Sequence, residues 1–79
     1  MKPLEWRQSE RPRIGRMLVA ERGNAKCFVW YSDAREKWAW EVEWGPVVLD
    51  FAPTEEEAKN EAAGYLRGII QMLCGDGAK

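Results

Sequence analysis

Residues 37–44 read Lys-Trp-Ala-Trp-Glu-Val-Glu-Trp, and this stretch decides the fold because its apolar and polar residues alternate with a period of two. Successive side chains of a β-strand point to opposite faces of a sheet. One face therefore carries three of the five tryptophans and a valine: Trp38, Trp40, Val42 and Trp44. The carboxylates of Glu41 and Glu43 point to the other face, which is called the outer face below.

The chain of 79 residues is 46% apolar and 32% charged, with a formal net charge of -1, which is the composition of a small globular domain. A chain of this size can bury about one sheet against one helix, so a second domain is not expected. No apolar run approaches the roughly 18 residues of a membrane span, and charged residues follow Met1 where a signal peptide is apolar. We therefore expect a cytoplasmic protein that does not use a membrane.

Two turns fix the pairing of three predicted strands. Gly23-Asn24 is typical of a two-residue hairpin loop and places Glu21 opposite Lys26 and Met17 opposite Trp30. A four-residue turn over 33–36 then places Tyr31 opposite Trp38. Both registers put the same side chains of the middle strand beside the tryptophans, namely Cys27, Val29 and Tyr31.

A short apolar run over 47–51 follows Gly45-Pro46 and predicts a fourth strand. In the expected register its apolar side chains join the tryptophan face: Val47, Leu49 and Phe51. Asp50 then lies on the outer face opposite Glu41. This like-charge pair is unfavourable, so the register of this strand is left open.

Residues 53–57, Pro-Thr-Glu-Glu-Glu, predict a helix that begins at about Glu55, because Thr54 can cap it and Glu57 completes a capping box. An apolar stripe continues along Ala58, Ala62, Tyr65, Leu66, Ile69, Ile70 and Leu73, and Gly75 is typical of a helix end. The sequence thus predicts an α+β fold in which three or four antiparallel strands precede one C-terminal helix packed on one face. Residues 1–12 are expected to form an arm, 13–75 the domain and 76–79 a tail.

Catalytic chemistry finds little support in the sequence. The chain contains no histidine, which removes the usual general base near neutral pH and the commonest zinc ligand. Cys27 and Cys74 lie far apart in apolar surroundings without metal-ligand spacing, and are expected to be reduced. We expect a non-enzymatic protein with no metal, no cofactor and no small-molecule substrate.

The outer face provides the candidate site instead. It is expected to expose apolar residues that one helix cannot cover, bordered by carboxylates: Met17, Val19, Phe28, Trp30, Glu41, Glu43 and Asp50. A soluble monomer seldom leaves such a patch bare. Three coverings are considered, which are the N-terminal arm through Leu4 and Trp6, a second copy of the chain, or a protein partner.

Nucleic-acid binding is the alternative. The first 26 residues carry seven basic and three acidic groups, whereas the remainder carries five basic and ten acidic groups. Sheet aromatics would stack on bases while arginines in and just after the arm bind phosphates: Arg7, Arg11, Arg13 and Arg16. The simpler interpretation is that the basic and acidic halves pair across the folded surface.

Two resemblances add expectations. The passage from Phe28 to Leu73, with Phe-Ala-Pro-Thr-Glu-Glu-Glu-Ala at 51–58, resembles the strand-to-helix passage of HicB-type antitoxins. In size, arrangement and lack of motifs, the chain also resembles small orphan proteins of phages and mobile elements, including anti-CRISPR proteins. The second resemblance implies an inhibitor that occupies a surface of a host nucleic-acid-targeting complex. Its acidic groups would then contact basic surfaces of that complex.

Overall fold

The computed structural model describes residues 4–12 and 14–70, with side chains of that part described up to residue 69. Within these residues, five strands form one antiparallel sheet in chain order, and one helix follows. The elements are β1 (Arg7–Arg11), β2 (Gly15–Arg22), β3 (Ala25–Ser32), β4 (Lys37–Glu43), β5 (Val47–Ala52) and α1 (Glu55–Ile70). The predicted α+β fold with a helix after the sheet is confirmed. The predicted helix end at Gly75 and the tail over 76–79 lie outside the described residues.

The predicted number of strands, three or four, is wrong because the expected arm contributes a strand. β1 pairs with β2 from Arg7 opposite Val19 to Arg11 opposite Gly15. Its sequence, Arg-Gln-Ser-Glu-Arg, has no apolar alternation, so the pattern that predicts the other strands is missing here. This strand lies at the edge of the sheet, where charged residues are common and pairing with β2 supplies its order.

The helix covers the tryptophan face, as predicted. Trp40 is buried, and its indole Nε1 donates a hydrogen bond to Glu61 Oε1 of α1 at 3.0 Å. Ala58 and Ala62 are fully buried between the helix and the sheet, so the two layers can approach closely. Thr54 Oγ1 accepts a hydrogen bond from the Glu57 amide at 3.1 Å, which confirms the predicted cap. The core cluster on this face comprises Ala25, Cys27, Val29, Trp40, Val42, Ala52, Ala58, Ala62 and Leu66.

The two registers predicted from turns are confirmed. Glu21 lies opposite Lys26, and Tyr31 lies opposite Trp38. The pairing of β2 with β3 nevertheless stops at Leu18, so Met17 is not paired with Trp30 as expected. Because β2 continues to pair with β1 as far as Gly15, this end of the β1–β2 hairpin separates from β3.

The expected register of β5 is wrong by one residue. Three residues, 44–46, connect β4 to β5, and Gly45 within this loop has a φ of 72°. Glu43 then pairs with Val47, and Trp40 pairs with Asp50. Since a shift of one residue reverses the face of every side chain, Asp50 lies on the helix face. The residues that move to the outer face are Val47, Leu49 and Phe51.

Leu66→Ala is expected to lower the free energy of unfolding by about 2–5 kcal/mol, because Leu66 is only 2% exposed within the main core. Arg67→Ala, at the next position of α1, is the matched control, since Arg67 is exposed and its replacement should cost less than about 1 kcal/mol. Urea unfolding followed by tryptophan fluorescence measures both. Equal losses at the two positions would contradict the described packing.

Candidate protein-interaction surface

The outer face divides into two parts with different exposure. On β2 and β3, Met17, Val19 and Phe28 are 3–5% exposed and form a second small core, against which the half-buried Trp30 packs. These four residues are called the outer cluster. Three of the residues predicted to contact a partner are therefore buried by the chain itself. Their expected exposure is wrong because they pack against one another and Arg11 of β1 lies over Phe28.

Arg11 closes the outer cluster. Its guanidinium carbon lies 4.3 Å from the centroid of the Phe28 ring, and its Nη2 lies 3.9 Å from Glu43 Oε2. A guanidinium over an aromatic face is held by the ring's negative potential. Arg11 reaches this position because the end of the β1–β2 hairpin separates from β3. The N-terminal segment thus covers this part of the face, though not through Leu4 and Trp6, which pack against the main core.

Glu41 and Glu43 lie side by side on the outer face of β4, and both are half-buried. Burial is the main cause that raises the pKa of Glu41 to about 6. A hydrogen bond and charge repulsion with Glu43 raise it further, whereas the positive charge of Arg11 opposes the shift. The expected acidic border is therefore present, and one of its carboxyls takes up a proton at mildly acidic pH.

The second part of the outer face is open. Val47 is 58% exposed and Leu49 is 50% exposed, and Phe51 completes a strip along β5. These three residues are called the β5 patch. The guanidinium of Arg35 lies 4.7 Å from the centroid of the Phe51 ring. The β5 patch shares its face with Glu41 and Glu43, which lie opposite Leu49 and Val47.

Sequence reasoning missed the β5 patch because it placed these side chains in the core. Two signals pointed to the correct register. Gly45 allows a three-residue loop with a left-handed residue, and the expected two-residue connection opposed Asp50 to Glu41. In the structure, Asp50 accepts a hydrogen bond through Oδ1 from the Phe51 amide at 2.8 Å.

The predicted phosphate-binding arginines do not gather on one surface. Arg7 forms an ion pair with Glu21, with 3.4 Å between Nη2 and Oε2, and Arg11 is held by Phe28 and Glu43 on the same face. Arg16 lies opposite Glu10 on the other face of the sheet. Arg13 lies outside the described residues. The Arg11–Glu43 pair joins the basic first 26 residues to the acidic remainder, whereas Arg7 and Glu21 both lie within the first 26 residues.

Other features of the described residues give weaker indications of a functional site. A groove of about 800 Å³ lies between Trp6 and one side of α1. Its lining contains both acidic residues, Glu55 and Glu56, and basic residues, Lys59 and Arg67, so it does not favour a ligand of either charge. In residues 4–12 and 14–70, no three cysteine, aspartate or glutamate side chains gather as a metal site would require. The part of the chain that the structure describes also contains no helix long and apolar enough to cross a bilayer. Cys27 is a free, buried thiol, and burial raises its pKa to about 11.

Glu41→Gln is expected to reduce the pH dependence of stability. Because the folded-state pKa of about 6 lies above the ordinary 4.5, the folded state binds more protons between these values. The free energy of unfolding therefore falls as the pH rises through this window. Above it, the variant should be more stable than the wild type by about 1 kcal/mol or less, since solvent screens this partly exposed group.

Urea unfolding between about pH 4 and pH 8 measures this effect, because the window lies within that interval. Glu10→Gln, on the exposed surface of β1, serves as the matched control. A Glu41→Gln curve parallel to that of the wild type across the whole interval would contradict the prediction.

Comparisons of the chain with protein-family models, with curated proteins and with solved structures find no match. The resemblances to HicB-type antitoxins and to anti-CRISPR proteins therefore stay predictions. A function can therefore be inferred only from the geometry of the outer face. Its distinguishing feature is an apolar strip exposed on an edge strand beside an acidic pair.

Proposed function

We propose that this chain is a protein-binding protein whose partner contacts the β5 patch and the adjoining carboxylates of β4. The exposure of Val47 and Leu49, at 58% and 50%, carries the proposal. Single apolar residues on a surface are ordinary, but here alternate residues of one strand form a continuous strip with Phe51. Burial of this strip against another protein would remove apolar area from water.

The border of the β5 patch supports the same function. Glu41 and Glu43 lie on one side, and Arg35 lies over Phe51 at the other end. Protein interfaces commonly place an apolar centre inside a charged rim, and the rim contributes orientation more than affinity. Charges of both signs around one strip favour a partner surface that also carries both signs.

The proposal narrows the surface expected from the sequence. Met17, Val19 and Phe28 support the sheet from within, whereas Trp30, Glu41 and Glu43 remain next to the open part of the face. Asp50 is removed from the list because it lies on the helix face. The narrower expectation of an inhibitor of a host nucleic-acid-targeting complex stays a prediction, as do its lack of enzymatic activity and its cytoplasmic location.

A photo-crosslinking residue at position 47 is expected to form covalent adducts with another polypeptide in native cells, because Val47 would lie within the interface. Leu49→Asp in the same chain should lower the adduct yield by about 10-fold or more, since it places an unpaired charge in the apolar strip. Gel shifts followed by mass spectrometry of the adducts measure both effects.

Tyr31 is the matched control position, because it is 44% exposed and lies on the opposite face of the sheet. Equal adduct yields from positions 31 and 47 would contradict the proposed surface. An unchanged yield from position 47 when Leu49→Asp is present would contradict it as well.

A further inference from the structure

The two edges of the sheet differ in chemistry. β1, at one edge, reads Arg-Gln-Ser-Glu-Arg; four of its five residues are exposed, and three of the five are charged. Charged side chains on an edge oppose the addition of another strand. β5, at the other edge, reads Val-Val-Leu-Asp-Phe-Ala and has one charge. An added strand would therefore meet far less resistance at β5.

Among the described residues β5 is an edge strand, and the backbone groups on its outer side can be identified. The Phe51 amide donates to its neighbour's carboxylate, Asp50 Oδ1, rather than to β4. Along a strand, backbone groups point alternately to its two sides, so residues two apart share a side. The amides and carbonyls of Val47, Leu49 and Phe51 therefore face outward from the sheet edge and can accept a further strand.

We propose that β5 is a strand-addition site and that its occupant is β5 of a second copy, antiparallel to it about a two-fold axis through Leu49. The two five-stranded sheets then join into one continuous sheet of ten strands. This inference rests on the proposed function, because it names the partner of the same patch. β5 is self-complementary in sequence and in backbone direction, which favours a second copy as the occupant.

The side chains of β5 are self-complementary in this register. Leu49 lies opposite Leu49 of the second copy, and Val47 lies opposite Phe51. All pairs on the outer face are then apolar, and such cross-strand pairs stabilise a sheet. On the helix face, Val48 lies opposite Asp50. Centring the pair on Asp50 instead would oppose two like charges.

Charged residues lie toward both ends of the outer face. Arg35 and Lys37 lie at one end, and Glu41 and Glu43 lie toward the other, where Glu43 pairs with Arg11 and lies opposite Lys26. An antiparallel two-fold arrangement places Arg35 and Lys37 of one copy at the same end as Glu41 and Glu43 of the other. Arg35, over Phe51, would stand two strand spacings, about 10 Å, from Glu43 of the second copy.

The assembly closes at two copies. Pairing of β5 with β1 of the next copy would be heterologous and would extend into a filament, but the charges of β1 oppose it. Asp50 weakens the two-fold pairing, because its carboxylate accepts the hydrogen bond that the Phe51 amide would otherwise donate to the second copy. Its removal should therefore strengthen association.

Analytical ultracentrifugation of the purified chain over a wide concentration range tests the association. We expect a concentration-dependent dimer that Leu49→Lys weakens by about 100-fold or more, because two lysines would face each other at the axis. Tyr31→Lys, at a similarly exposed site on the opposite face, should leave it unchanged. Asp50→Ala should strengthen it, which a misfolded variant would not do.

Disulfide formation tests the register. In a Cys74→Ser background, Leu49→Cys should form a disulfide-linked dimer under mild oxidation, because hydrogen-bonded partners have Cα atoms about 5.5 Å apart. Cys27 does not compete, since it is buried and its pKa is raised to about 11. Asp50→Cys is the register control and should be linked much more slowly. Faster linkage at position 50 would overturn the proposed register.

The outcomes separate this inference from the proposed function. A wild-type chain that stays monomeric at all concentrations overturns self-pairing. If the crosslinker at position 47 still captures a different protein, the protein-binding function stands and β5 has another occupant. Loss of both the dimer and the adducts overturns both proposals.

Discussion

The packing of α1 on the tryptophan face of β4 is the constraint on which the rest of the structure depends. Trp40 fills the space beneath the helix, and the small side chains of Ala58 and Ala62 allow the helix to approach it. The hydrogen bond from the indole to Glu61 satisfies the one polar group that this burial would otherwise leave unpaired. α1 packs on this face, and residues 4–12 and 14–70 contain no second helix that could cover the other.

As a result, the apolar residues of the outer face are covered near β2 and exposed near β5. Near β2, the chain covers its own apolar residues by separating the end of the β1–β2 hairpin from β3 and laying Arg11 over Phe28. Near β5, Arg35 lies over Phe51, but Val47 and Leu49 remain open to solvent. The position of the candidate interaction surface thus follows from which half of the face the hairpin can reach.

Loop length decided whether a register could be read from the sequence. A Gly-first pair and a four-residue turn each favour a common hairpin geometry, and both of those registers are confirmed. The third connection, over residues 44–46, contains a left-handed Gly45 and one more residue than expected. The additional loop residue shifts the register of β5 by one, so Leu49 lies on the outer face and Asp50 on the helix face. The sequence pattern had therefore assigned exposed apolar residues of β5 to the core.

The sequence by itself determined the α+β class, the capped helix and the packing of the helix on the tryptophan face, where Trp40 is buried and Trp38 and Trp44 are partly buried. These features depend on local periodicity and on residues close together in the chain. Only the tertiary structure decided that Arg7–Arg11 forms a strand, since an edge strand without apolar alternation is ordered by its neighbour. It also decided that Phe28 is covered and that Leu49 is exposed. Both depend on where distant segments meet after the sheet has formed, which no local pattern of residues records.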